Sequence, residues 1–126
     1  MENLKNAGRV IFGLPFIIFG LNHFKMGSQM AGYVPSFIPG GVFWIYLVGL
    51  ALVLAGISII IKKYIRLSAT LLGIMLAIFV LTIHLPGLFN PAIMQMEFAN
   101  LLKDTSLCGA AFFIAGSFPN EEKKSE

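Results

Sequence analysis

Two long apolar runs dominate the hydrophobic pattern of the chain. Residues Val42–Ile61 carry no charge over their whole length, and Leu67–Leu85 repeats the pattern after a short basic break. A helix needs about 20 apolar residues to cross the hydrocarbon layer of a bilayer. A soluble helix of that length would show a polar stripe at every third or fourth position, and Val42–Ile61 shows none. These runs predict two membrane-spanning helices.

Two further runs predict a first and a fourth span. The first covers about Ala7–Phe24 and follows basic residues, as the apolar part of a signal peptide would. Because no small-residue cleavage site follows closely, we interpret it as a retained span. The fourth covers about Asn100–Phe118 and is less apolar, since Lys103 and Asp104 lie in its first turn.

The pattern as a whole predicts an all-α fold, an integral membrane four-helix bundle. We expect residues 1–126 to form a single membrane domain, with a short disordered tail at 119–126. In the loop before the fourth span, Asn90-Pro91 is typical of an N-cap followed by the first helical residue. A helix is therefore predicted to begin near Pro91, ahead of the span itself.

The positions of the basic residues predict the orientation of this bundle. Most of them fall before span one, between spans two and three, or after span four, and Lys25 and Lys103 are the two on the other side. Because short cytoplasmic loops are enriched in Lys and Arg, both termini are predicted to be cytoplasmic. The expected location is the cell (inner) membrane, with several passes.

Composition supports a membrane assignment and argues against other classes. The 126 residues are 57% hydrophobic and 12% charged, so a soluble domain of this size would be poorly solvated. The formal charge of +3 is spread over helix ends and forms no continuous basic face, which favours contact with anionic lipid over nucleic acid. A single cysteine, Cys108, excludes an internal disulfide.

Small residues recur within each predicted span and predict where the helices pack. Helices in lipid approach most closely where side chains are small. The recurring positions are Gly13 and Gly20, Gly49 and Gly56, Gly109 and Gly116, and in span three Ala69, Gly73 and Ala77.

Most of the unusual polar residues fall at the predicted outer ends of the spans. Ionisable residues at membrane depth usually face the bundle interior or a wet cavity, so these residues predict a polar pocket in the outer leaflet. Its predicted members are His23, His84, Glu97, Asn100, Lys103 and Asp104, with Tyr33, Trp44 and Cys108 as possible walls. At least one histidine is expected to contact Asp104, because a carboxylate commonly fixes the tautomer of an imidazole.

Several of these residues also have a purely structural interpretation. His23 lies at a helix end, where its ring can hydrogen-bond the last carbonyl groups. His84 precedes Leu85-Pro86, and its ring can satisfy backbone freed by the proline. Lys103 can extend to the lipid headgroups, and Cys108 can be a small buried apolar residue. Asp104 is the hardest to explain in this way, because its short side chain cannot reach the headgroups as a lysine does.

No cofactor is predicted from a motif. The histidines and carboxylates come from separate helices without the short ligand spacing of a metal site, so no metal is expected. The sequence also has no phosphate-binding glycine loop, no Ser-His-Asp arrangement and no nucleotide fingerprint. A quinone or lipid-like molecule remains the possible ligand, since an apolar bundle with a few converging polar groups suits a hydrophobic molecule.

A set of short motifs, in order and spacing, resembles the DoxX family over about Ala7 to Phe118. The motifs are Arg9 with Gly13, Phe19-Gly20, His23-Phe24, Tyr33-Val34-Pro35, His84-Leu85-Pro86, and Lys103-Asp104 followed by Leu107 and Gly109. The resemblance implies a small prokaryotic four-helix membrane protein linked to membrane redox chemistry, as in a subunit of a thiosulfate:quinone oxidoreductase. The cysteine pairs of related thiol-redox bundles are missing, which argues against a disulfide relay.

Two function classes follow from these observations. The first is a redox-associated accessory subunit that binds a quinone or another small apolar molecule near the outer leaflet. The second is a non-catalytic scaffold or assembly partner for another enzyme. An accessory role is favoured over autonomous catalysis, with the lipid bilayer, a membrane redox protein or a second copy of the chain as partners.

Overall fold

The computed structural model describes residues 1–119, whose regular elements are helices joined by short turns and by a loop at residues 34–41. The long helices are α1 (Glu2–Lys25), α3 (Val42–Ile61), α4 (Ile65–Phe79) and α6 (Met94–Ser117). The short ones are α2 (Gly27–Met30), a 3-10 turn (Ala31–Tyr33) and α5 (Leu85–Gly87), and a π-helical segment (Val80–His84) joins α4 to α5. Apart from Pro119, the predicted tail lies outside the described residues.

Three of these helices are long and apolar enough to cross a membrane: Glu2–Lys25, Val42–Ile61 and the continuous stretch Ile65–Gly87. Their outward surfaces carry many exposed large apolar side chains, as lipid-facing surfaces do. Helix α6 has 24 residues, enough for a span, but the polar residues of its first half make it less apolar than these three helices. The fourth span and the cytoplasmic termini therefore stay predictions.

The helix boundaries agree with the sequence for α3 and differ for the others. Helix α1 begins at Glu2, ahead of the apolar run, and α4 begins at Ile65. The predicted helix start near Pro91 is wrong, because α6 begins at Met94. The Asn90 side chain accepts a hydrogen bond from the amide of Ala92 at 3.1 Å, which closes a tight turn instead of capping a helix.

Helices α1 and α3 form a close antiparallel pair that depends on glycine. A Cβ built on Gly20 would lie 2.6 Å from the carbonyl oxygen of Gly49, and one on Gly56 would lie 2.7 Å from that of Gly13. Real Cβ atoms do not come so close to backbone oxygen atoms, so any larger residue would separate the two helices. The predicted packing role of these four glycines agrees with the structure.

Helices α4 and α6 form the second pair, and α3 packs against α4 to join the two pairs. Gly73 of α4 faces the ring of Phe112, and the buried Ala69 and Ala111 bring the backbones together. The prediction that Gly109 and Gly116 mark a packed face is wrong, since nothing lies within 4 Å of a Cβ built on either residue. Helix α6 turns its other face, which carries Asp104, Ala111 and Ala115, toward the interior.

The π-helical segment Val80–His84 interrupts the ladder of α4 just before a proline. Pro86 has no amide hydrogen to donate to the carbonyl of Thr82, and its ring crowds that turn of helix. In the widened turn, the amide of Leu85 donates to the carbonyl of Val80, five residues back. A π turn of this kind rotates the residues after it relative to a regular helix, and such turns are frequent at functional sites.

Candidate functional site

Two carboxylates lie on opposite sides of one imidazole where the π-helical segment meets α6. The Nδ1 atom of His84 is 3.0 Å from Oε2 of Glu97, and its Nε2 atom is 2.9 Å from Oδ2 of Asp104. These three residues are called the His84 array below. The side chain of Glu97 is 1% exposed, whereas those of His84 and Asp104 are each 12% exposed. The array is therefore closed at Glu97 and slightly open at Asp104.

Two polar side chains of α6 extend this array toward the surface. Asn100 donates from Nδ2 to Oε1 of Glu97 at 3.0 Å, and Lys103 donates from Nζ to Oδ1 of Asn100 at 3.3 Å. The ammonium of Lys103 also lies 3.9 Å from Oδ1 of Asp104 and is largely exposed. Each carboxylate thus has a second polar neighbour besides the imidazole.

The local sequence explains why these side chains meet. Glu97, Asn100 and Asp104 are spaced three and four residues apart and so share one face of α6. The π turn before Pro86 ends at His84, opposite this face. Gly87 leaves the space that the glutamate occupies, because a Cβ there would lie 2.5 Å from Cγ of Glu97. Pro86 and Gly87, which follow the histidine in the sequence, therefore allow the array to form.

The hydrogen bonds of the array require an extra proton. A neutral imidazole has one N–H donor and one bare nitrogen, and an ionised carboxylate only accepts. With a neutral ring and two carboxylates, one nitrogen would face an oxygen without a hydrogen between them. Both short contacts are satisfied when one more proton is present, on the ring or on a carboxyl group. The geometry therefore suits an array that holds one proton more than a neutral ring and two carboxylates would carry.

The structure brings together five of the predicted site residues and leaves His23 apart. The ring of His23 hydrogen-bonds the carbonyl of Phe19 in its own helix at 2.7 Å, which is the structural interpretation of a histidine at a helix end. No hydrogen bond or ion pair within residues 1–119 links it to the His84 array. For His84 the interpretation differs, because both ring nitrogens bind carboxylates and not the backbone freed by Pro86.

Two of the three possible wall residues have hydrogen-bond partners outside the array, and the third is exposed. The Nε1 atom of Trp44 donates to the carbonyl of Pro39 at 2.6 Å and so fixes the loop before α3. Tyr33 is exposed in the 3-10 turn. Cys108 donates from Sγ to the carbonyl of Gly73 at 3.2 Å, a contact between α6 and α4 one turn beyond Asp104. Of the three, Cys108 is the nearest along the chain to the array.

Sequence reasoning missed the roles of two residues. Gly87 was not among the predicted site residues, although glycine is the residue that allows another group to approach the backbone closely. Arg9 was counted among the cations that orient the bundle and in a DoxX motif, but not as a buried polar group. In the structure it is buried and donates from Nη1 to the carbonyls of Ile59, at 3.0 Å, and Ile60. An arginine inside a predicted span was the available signal.

The same arrangement offers little for a metal ion. The described part of the chain contains no group of three or more His, Cys, Asp or Glu side chains placed to hold one. Within the array, the carboxylates approach opposite edges of one ring, whereas metal ligands converge on a common point.

Comparison with known proteins decides the family. The DoxX family model matches residues 4–85, which is well over half of the chain. The chain belongs to the DoxX family. The match ends just after His84, so the carboxylates of α6 lie beyond the matched segment of this DoxX protein. No curated protein and no solved structure matches the chain. Family membership and the three apolar helices together indicate a membrane protein.

Proposed function

We propose that this DoxX protein is a redox-associated accessory subunit that binds a quinone, or a similar small apolar molecule, beside the His84 array. The observation that carries the proposal is the imidazole held between two carboxylates at 3.0 and 2.9 Å. Reduction of a quinone consumes electrons and protons together. In this proposal the array donates or accepts the protons, and a partner protein supplies the electrons.

The exposure of the array fits a ligand that arrives from the bilayer. Glu97 is sealed from solvent, while the slightly exposed edges of His84 and Asp104 leave room for one hydrogen bond to an incoming oxygen. Leu81 and Leu85, close to His84 along the chain, are 63% and 41% exposed and add apolar surface to the same segment. A quinone has this same combination of an apolar ring and carbonyl oxygens.

A second candidate function is a non-catalytic scaffold for another enzyme in the membrane. Its support is that the polar side-chain contacts described for Glu97 and Asp104 stay within the array, Asn100 and Lys103. Such an array also fixes helix α6 on the π-helical segment, which is a sufficient structural role. In this case the array only holds the helices together, and the exposed apolar faces of the helices bind the partner.

Binding of a short-chain ubiquinone analogue by the purified protein tests the proposal. The full chain is titrated with the analogue in detergent micelles and compared with the variants Asp104→Asn and His84→Ala. His23→Ala serves as the matched control, because His23 is the second histidine of the chain and lies outside the array. Circular dichroism of each variant verifies that it is folded.

The proposal predicts saturable binding that weakens about tenfold or more in both array variants, because a hydrogen bond to a charged group is lost. The His23→Ala control is expected to bind as the parent chain does. Absence of saturable binding by the parent chain contradicts the proposal. Co-purification of a soluble redox enzyme that survives both array substitutions then favours the scaffold.

A further inference from the structure

A second feature of the molecule lies at the opposite ends of α1 and α6 from the His84 array. The first half of α1 and the last two turns of α6 enclose a cleft of about 860 Å³. Its walls are mainly apolar and include Leu4, Phe12, Phe113 and Ile114. This volume is in the range of about 300–1,000 Å³ that small-molecule sites have. We call it the α1–α6 cleft.

Basic side chains surround one end of this cleft. Lys5 lies in its wall, with Nζ 3.1 Å from the carbonyl oxygen of Ser117 and 4.4 Å from the ring centroid of Phe118. The Nζ atom of Lys62, from the loop after α3, lies 5.9 Å from the same ring. The acidic Glu2 is exposed and also borders the cleft. Among the described residues, cations therefore exceed carboxylates at this end.

Arg9 gives the cleft a polar group that the protein leaves partly unsatisfied. Its residue surface is 9% exposed, it lines the cleft, and its Nη1 atom donates to the carbonyls of Ile59 and Ile60. Its Nε atom is buried and has no hydrogen-bond partner within residues 1–119. A buried donor without a partner is unfavourable, and a guanidinium pairs best with a phosphate or carboxylate.

We propose that the α1–α6 cleft binds one anionic phospholipid of the bilayer. Arg9 and Lys5 hold its phosphate, and an acyl chain lies along Phe12, Phe113 and Ile114. The apolar length of the cleft distinguishes this ligand from a free phosphate ion. Charge argues against a second copy of the chain, because a symmetric pair would bring the basic residues of two clefts together.

Native mass spectrometry of the full chain released from detergent tests the proposal. The protein is supplied with phosphatidylglycerol, with phosphatidylcholine, or with inorganic phosphate alone. The proposal predicts that one phosphatidylglycerol is retained in preference to phosphatidylcholine. Equal retention of the two lipids contradicts the proposal. So does displacement of phosphatidylglycerol by millimolar inorganic phosphate, which would indicate a site for the free ion.

A cavity-filling variant tests the role of the cleft without a substitution at Arg9. Gly8 lines the cleft and has nothing within 4 Å of a built Cβ, so the Cβ of Gly8→Leu has room and its side chain is expected to occupy part of the cleft. Gly109→Leu is the matched control, because Gly109 is equally open and lies outside the cleft lining. Loss of retained phosphatidylglycerol in Gly8→Leu alone supports the proposal. Equal retention by the two variants, or a dimer that Gly8→Leu converts to a monomer, overturns it.

A charge variant tests the basic end of the cleft separately. Lys5→Gln is expected to weaken retention of phosphatidylglycerol about fivefold, the effect of one basic residue near an anionic headgroup. Lys25→Gln removes an exposed lysine at the other end of α1 and is expected to change nothing. An equal effect of both substitutions would mean that overall charge, and not the cleft, retains the lipid, and would contradict the proposal.

Discussion

Removal of the His84 ring is predicted to destabilise the protein, because the carboxylates of Glu97 and Asp104 lose their shared hydrogen-bond partner. In His84→Ala, Glu97 keeps a single described partner, the amide of Asn100, while its side chain remains 1% exposed. Asp104 retains the ammonium of Lys103 at 3.9 Å and is less affected. Breaking a buried ion pair from one side costs about 3–5 kcal/mol, and the stranded Glu97 accounts for most of it.

A second substitution separates the stranded charge from the lost packing of the ring. The double variant His84→Ala/Glu97→Gln no longer buries an unpaired carboxylate. It is therefore expected to be more stable than His84→Ala by about 1–3 kcal/mol, the penalty for a buried polar group that has lost its partner. Loss of packing alone would instead make the double variant equal to or less stable than the single one.

The free energy of unfolding in detergent, measured by circular dichroism against added denaturant, gives these differences. Leu81→Ala is the control, because Leu81 lies in the same π-helical segment and is 63% exposed. We expect it to cost less than about 1 kcal/mol, as substitutions outside the core do. If His84→Ala costs no more than Leu81→Ala, the two ring contacts do not stabilise the fold and the reasoning is refuted.

Three further predictions concern packing and topology. Gly20→Leu is expected to lower the free energy of unfolding by at least about 1–3 kcal/mol, because its Cβ would lie 2.6 Å from the Gly49 carbonyl oxygen. An unchanged free energy of unfolding would contradict the close pairing of α1 and α3. Gly87→Leu is expected to displace Glu97 and weaken quinone binding, whereas Gly109→Leu, at an open position, is expected to leave binding unchanged. Equal binding by the two variants would contradict the role of Gly87. Reporter fusions after Glu126 and within the segment Met26–Met30 are expected to report the cytoplasm and the outside respectively, and any other pair of signals would contradict the predicted topology.

The sequence predicted the helix Val42–Ile61 to the residue because its ends are marked by local chemistry. Gly41 precedes it with a positive φ of 45°, and Lys62 follows it in the left-handed conformation at 62°. The spacing of Glu97, Asn100 and Asp104 likewise predicted that they share one face. Both results depend on information within a single helix.

The parts that could not be predicted depend on which helices pack together. His23 and His84 both lie at helix ends and look equivalent in the sequence, but α6 packs on α4 and its π-helical continuation. Only His84 therefore reaches the carboxylates of α6. The same choice of partner turns Gly109 away from the interior, where spacing alone had predicted a packed face.

Nitrogen NMR of His84 tests the central claim, that each of its ring nitrogens shares a proton with a carboxyl oxygen. The chain has two histidines, so a His23→Gln variant labelled with nitrogen-15 histidine gives the signals of His84 alone. Near neutral pH, we predict that both nitrogens are protonated or strongly hydrogen-bonded, and that Glu97→Gln shifts the Nδ1 signal more than the Nε2 signal. One nitrogen with the signal of a free, unprotonated atom, unchanged by Glu97→Gln, would contradict the shared proton and the function proposed for the array.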